Sequence, residues 1–146
     1  MIRLGRLTDY GIVLMAHLAS AGDGPHAARD IAAETRLPLP AVSKLLKALA
    51  RQGLLTSARG AKGGYQLARP PDQITVPEMI TALEGPIALT ECGVGTCERE
   101  ASCVVRAPWQ RINRVVRKSL ADVRLSDLVT RPIPISRRSQ ERIHAE

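Results

Sequence analysis

Residues 40–52 place Val42, Leu45, Leu46 and Leu49 on one helical face and Ser43, Lys44, Lys47 and Arg51 on the other. Apolar spacing of i, i+3, i+4, i+7 commits the first face to a core and leaves the second polar and basic. Pro40 in the opening turn and Gly53 just past the end mark the helix limits. A shorter helix is expected over 28–35, with Ile31 and Ala32 inward, and RLPLP turns the chain between the two. LLTSARGAKGGYQLARP follows at once, reading as two strand-like runs, 54–58 and 65–68, around RGAKGG. Its three glycines permit a tight excursion, and Arg59 and Lys62 put charge at the tip. Two short helices, a tight turn and a basic hairpin are the pattern of a winged helix-turn-helix, which sets one helix in a major groove. The plainer reading, a surface hairpin beside a solvated helix, is disfavoured by the hairpin's position directly after the basic face. Ser43, Lys44, Lys47, Arg59 and Lys62 are therefore the candidate DNA contacts.

The rest of the chain sets the fold class. With no Phe, one Trp and two Tyr in 146 residues, a core must be built from Leu, Val, Ile and Ala. That favours small packed helices, and a mainly α fold is expected. The formal charge of +7 is uneven: residues 1–70 hold ten Lys and Arg against four Asp and Glu, 71–106 hold two against six, and 107–146 hold nine against four. A basic head, an acidic middle and a basic tail point to a polyanionic partner for the head.

Ile2 to Leu4 reads as a short strand. A first helix follows to about Ala19, with Leu7, Ile12, Met15, Leu18 and Ala19 inward, Thr8 as its amino cap and Asp9 favoured by the helix dipole. ITVPEMITALEG predicts a further helix, with Thr75 and Glu78 at capping-box spacing and Gly85 as terminator. Pro108 opens a long amphipathic helix with Trp109, Ile112, Val115, Val116, Leu120 and Val123 in one stripe. A chain this small has little core left to cover that stripe, so pairing with a second copy is expected. Ser126 to Val129 adds a turn of helix. The domain plan is a winged helix-turn-helix over 1–70, a linker helix and thiol loop over 71–106, a dimerisation helix over 107–130 and a flexible basic tail over 131–146. No segment reads as a signal peptide or membrane span, and a cytoplasmic protein is expected. No nucleophile-base constellation stands out, and GAKGG lacks the phosphate-loop spacing, so an enzyme is not expected.

All three cysteines, Cys92, Cys97 and Cys103, fall in one twelve-residue stretch among Gly93, Gly95 and several acids. In a reducing compartment such thiols are ligands or redox groups rather than structural disulfides, and an odd count cannot pair fully. Thiolates hold iron-sulfur clusters, and glycine lets a loop wrap one. Zinc competes, although its structural sites usually bring two ligand pairs; the third option is structurally incidental thiols or thiol redox chemistry, and incidental thiols are generally buried, whereas Glu91, Glu98, Arg99, Glu100 and Arg106 flank these three. Three cysteines leave another ligand to find, and the oxygen and nitrogen donors are Asp9, His17, His26, Glu91, Glu98 and Glu100. A dipole role for Asp9 and a packing role for His17 are the plainer alternatives.

LTDYGIVLMAHLA, IAAETRLPLPAVSKLLKALARQGLL, RGAKGGYQLARP, ITVPEMITALEG and the three-cysteine loop, in that order, resemble the Rrf2 family of winged-helix regulators over about residues 1–130. Within it, LTDYG, PAVSKLLKALAR, GAKGGY, LEGPIALTEC and PWQRIN are most similar to regulators of the SUF iron-sulfur assembly system. The resemblance implies a homodimer that binds a palindromic operator on double-stranded DNA and represses or tunes a cluster-assembly operon. It assigns an iron-sulfur cluster to Cys92, Cys97 and Cys103, 2Fe-2S favoured and 4Fe-4S open. Iron-sulfur regulators of the family place a histidine three residues after the last cysteine, where this chain has Arg106. Nitric-oxide-sensing members take an aspartate near the start of the first helix of the partner subunit, and Asp9 stands at the matching place. A nitric-oxide or redox-sensing repressor is the rival within the family. A zinc or thiol-redox protein without operator preference is the rival outside it.

Overall fold

A computed structural model describes residues 3–129. The order is α1 (Arg6–Ser20), α2 (Ala28–Thr35), α3 (Leu39–Arg51), β1 (Leu55–Ala58), β2 (Gly64–Leu67), α4 (Val76–Glu84), α5 (Arg106–Ala121) and α6 (Leu125–Val129). The protein is mainly helical with one two-stranded sheet, as the apolar spacing and the lack of phenylalanine predicted. No helix among the described residues is long and apolar enough to cross a membrane. The expected tail over 131–146 lies outside the described residues.

The core gathers Leu14, Met15 and Leu18 of α1, Ile31 of α2, Val42, Leu46 and Leu49 of α3, Met79 of α4 and Leu125 of α6. α2 matches its sequence expectation residue for residue, and α3 buries the four side chains its spacing selects. Arg36 closes α2 in the left-handed conformation at φ 57°, and Leu37 returns its amide to Ala32. That turn sets α3 across α2 in helix-turn-helix fashion. β1 and β2 pair antiparallel, Leu55 opposite Leu67 and Ala58 opposite Gly64.

The wing is fastened to the start of α2. Tyr65 donates to the carbonyl of His26 at 2.8 Å and accepts from its amide at 2.9 Å. Gly64, at φ 152°, makes this approach possible, because a Cβ there would stand 2.2 Å from the His26 oxygen. The capping box on α4 is complete: Glu78 donates its amide to the Thr75 hydroxyl at 3.3 Å, and the Thr75 amide donates to the Glu78 carboxylate at 2.8 Å.

Four expectations are corrected. Arg3 and Leu4 form no strand. Thr8 does not cap α1: the cap is Gly5, and Thr8 is buried inside the first turn, where its hydroxyl serves Glu84 instead. The inward face of α1 is Thr8, Gly11, Leu14, Met15 and Leu18, so Leu7 stays exposed. Finally, α5 starts at Arg106 rather than at Pro108, and the residue it buries is Asn113.

The end of α5 meets the head. After it, Leu125 donates to Ile74 at 2.8 Å and Val123 accepts from Val76 at 3.1 Å, so the turn between α5 and α6 is tied to the start of α4. Leu120 and Val123 pack on the core. Earlier in the helix, Trp109, Ile112 and Val115 are 37%, 42% and 57% exposed, so the core of a single chain leaves the first half of the predicted stripe uncovered.

Candidate nucleic-acid interface and thiol loop

The basic face of α3 is free to meet a partner. Burial of Val42, Leu45, Leu46 and Leu49 turns Lys44 and Lys47 fully outward and leaves Ser43 half-exposed beside them. Arg59 and Lys62 are exposed at the tip of the hairpin. Among the described residues, none of Lys44, Lys47, Arg59 and Lys62 is drawn into an ion pair; the pairs are Arg69–Glu78 at 2.8 Å and Arg106–Glu100 at 2.8 Å, and His17 Nε2 stands 2.9 Å from the Glu34 carboxylate. Cations without internal partners are available to phosphate oxygens.

The thiol loop runs from α4 to α5 as a succession of turns. A 3₁₀ turn covers Glu91–Gly93, and Val94 and Thr96 both return amides to the Glu91 carbonyl, at 3.1 and 3.2 Å. Glu100 donates to Cys97 at 3.2 Å, and Arg106 donates to Cys103 at 3.2 Å as α5 begins. All three cysteines are free and half-buried, in keeping with their charged neighbours.

α5 holds this loop at two places. The Leu89 amide donates to Asn113 Oδ1 at 2.7 Å, and Asn113 Nδ2 donates to the Thr90 hydroxyl at 3.0 Å. Near the far end, Glu100 takes the Arg106 guanidinium and, at 3.4 Å, the Gln110 amide. Asn113 escaped the sequence reading because a polar residue between Ile112 and Arg114 looks solvated. Its place on the Trp109–Val116–Leu120 face was the available signal.

Other donors are dispersed. Asp9 is exposed in the first turn of α1. His17 is turned toward Glu34, His26 approaches the Gly22 carbonyl at 3.4 Å, and Glu100 is occupied by Arg106. Arg106, three residues after the last cysteine, is itself engaged by Glu100 and has no lone pair to offer a metal. Among the described residues, no three of His, Cys, Asp and Glu converge tightly enough to hold a metal ion. By donor chemistry the loop suits an iron-sulfur cluster: three accessible sulfurs on a turn-built backbone, with Gly95 at φ 75°. Bringing them to one centre requires the loop to tighten.

An outward basic helix, a glycine wing and a sulfur-bearing loop packed on an exposed helix define a winged helix-turn-helix regulator with an attached thiol segment. The chain belongs to the Rrf2 family, described as iron-dependent transcriptional regulators, whose pattern matches residues 4–131. Members are DNA-binding transcriptional regulators rather than enzymes, and so is this protein. It is 38% identical over 122 residues to the HTH-type transcriptional regulator CymR of Bacillus subtilis, covering 83% of this chain and 85% of that one. With the regulator IscR of Cronobacter sakazakii it shares 30% identity, covering 88% and 80%. The solved structure of CymR, the global cysteine regulator of B. subtilis, superposes with a TM-score of 0.71 at 36% identity over 89% of this chain and 98% of that one.

Proposed function

We propose that this protein is a homodimeric repressor of a SUF-type iron-sulfur assembly operon that senses cluster status through Cys92, Cys97 and Cys103. The observation that carries the reading is that all three sulfurs sit on one loop, and that this loop packs on α5, the helix whose apolar stripe lies uncovered. The family description as iron-dependent regulators supports it, as does the likeness of LEGPIALTEC and PWQRIN to SUF-system regulators.

In this reading Ser43, Lys44 and Lys47 meet base edges and phosphates in the major groove, while Arg59 and Lys62 take backbone phosphates at its edge. Two heads joined through α5 read half-sites of a palindrome about one turn of DNA apart. Cys92, Cys97 and Cys103 supply three ligands, and Asp9 of a second copy supplies the fourth. A bound cluster, 2Fe-2S in this proposal, would provide a redox- and oxygen-labile centre joining the three turns of the loop. With such a group held by Cys92, Cys97 and Cys103 the loop would be ordered on α5, and DNA affinity would change only by the difference between the two loop arrangements.

The test is an operator titration with loaded and stripped protein, alongside Cys92→Ala. Loaded and stripped forms should differ by about 5- to 150-fold in affinity. Cys92→Ala should abolish both the visible absorbance and that difference. Unchanged absorbance and affinity in Cys92→Ala would remove the sensor.

A second reading has its own support. The three thiols do not converge on a metal-sized point in a single chain, and a relative of known structure is a cysteine regulator. On that reading the loop responds by thiol oxidation. It predicts metal-free protein whose operator affinity changes with oxidant and returns with reductant.

A further inference from the structure

α5 buries a single residue, and it is a polar one. The Asn113 side chain is 1% exposed in a helix otherwise half-covered or open. A buried carboxamide is costly unless its polar atoms are matched, and both ends of this one are used by the thiol loop. The Leu89 amide can only donate, so it fixes which end of the carboxamide is oxygen. Nδ2 is thereby aimed at the Thr90 hydroxyl, which accepts at 3.0 Å.

The chain of contacts continues to sulfur. Thr90 Oγ1 lies 3.1 Å from Cys92 Sγ. Either atom can donate while Cys92 is a thiol; as a thiolate the sulfur can only accept, so the hydroxyl would then donate to it. Gly93 closes the arrangement: a Cβ there would stand 2.7 Å from Asn113 Nδ2, so the turn bearing Cys92 lies flush on the carboxamide.

We propose that Asn113 is the positioning residue that carries the state of the thiol loop into α5, through Thr90 to Cys92 and through Leu89 to the loop backbone. This rests on the cluster-sensing reading of the same loop. Asn113 touches no metal in this account. It sets where Cys92 stands relative to α5, so tightening of the loop pulls on that helix and hence on the spacing of two DNA-reading heads. Outer partners that orient a ligand are worth about 10- to 100-fold in metal affinity or activity in comparable sites.

Two variants of the full chain test it, with three measurements. Thr90→Val keeps the side-chain volume and the Leu89–Asn113 bond but removes the hydroxyl that meets both Cys92 and Asn113 Nδ2. Asn113→Ala releases both. The measurements are amide hydrogen exchange of the Leu89 region in cluster-free protein, iron and sulfide content after anaerobic reconstitution, and the ratio of operator affinities with and without the bound cluster.

Asn113→Ala should speed exchange at Leu89 and bring the affinity ratio to within about twofold of one. Thr90→Val should lower the melting temperature, because buried Asn113 Nδ2 loses its acceptor, yet remain folded and load iron and sulfide, with an altered visible spectrum and a reduced ratio. Wild-type exchange at Leu89 in Asn113→Ala, or a full wild-type ratio in either variant, would overturn the proposal. If Asn113→Ala does not fold, Thr90→Val decides through the ratio. An iron-free wild type would sink the sensing reading instead, a result distinct from any change at Leu89, which still reports Asn113's hold on the loop.

Discussion

Thr8, buried in the first turn of α1, donates its hydroxyl to Glu84, the last residue of α4 and 76 positions further along the chain. The same carboxylate oxygen accepts the Gly5 amide at 2.6 Å. One acid at the end of α4 thus satisfies the start of α1, where no side-chain cap exists. Thr8→Val keeps the packing volume and removes the hydroxyl. A hydrogen bond to a charged group is worth about 1.5–3 kcal/mol, and since Glu84 is exposed and water can replace part of it, a loss of about 1–2 kcal/mol is expected in chemical unfolding. An unchanged midpoint would show that the contact contributes nothing.

Glu78 provides a pH prediction. Burial opposes its charge, but the Thr75 amide, the Arg69 guanidinium and the Thr75 hydroxyl together hold its pKa below the ordinary 4.5. A depressed folded-state value stabilises the protein above the unfolded value and loses that contribution as pH falls through the folded one. Glu78→Gln should therefore cost about 0.5 kcal/mol at neutral pH, a small figure because the pair with Arg69 is partly exposed. The deficit should close as pH falls below 4.5. Melting curves of both proteins between neutral and acidic pH check this, and a deficit constant with pH would contradict it.

Lys62 and Lys47 separate positioning from reading. Lys62 stands exposed in the wing, so Lys62→Ala should weaken binding to all sequences alike and lower the salt slope by about one unit. Lys47 lies at the centre of the outward face of α3. Its replacement by Ala should also relax sequence preference, at about 1–3 kcal/mol for the favoured site. Titrations at several salt concentrations on operator and random DNA measure both.

The uncovered stripe of α5 makes the oligomer testable. Ala107, Pro108, Arg111, Ile112, Val115 and Val116 line a shallow apolar groove on this helix. Ile112→Glu places a charge in it and should convert a dimer to monomer in sedimentation experiments at micromolar concentration, while leaving the head folded. A sedimentation coefficient equal to wild type would move the dimer contact elsewhere.

Local signals carried most of the fold. α2, α3, the wing and the α4 capping box were legible because their residues answer to neighbours within one or two turns: Val42 to Leu46, Thr75 to Glu78. Thr8 was misread because the position suited a cap, and its real partner, Glu84, is remote in sequence. The run Val13, Leu14, Met15 leaves the helix phase ambiguous, and packing in the shared core decides that Leu14 turns inward. At the thiol loop the sequence named the three cysteines. The residue that ties them to the fold, Asn113, emerged only once the loop and α5 were set side by side. Whether Asp9 joins them depends on a second copy, a relation that spacing within one chain does not encode.

The central claim is that three sulfurs on the loop grip an iron-sulfur centre. Iron and acid-labile sulfide counted in protein purified without oxygen, with Cys92→Ala, Cys97→Ala and Cys103→Ala prepared in parallel, test it most directly. Both elements should be present in the wild type at near-equal amounts per chain and be lost in each variant. Wild-type protein that contains neither, and takes up neither on anaerobic reconstitution, would contradict it.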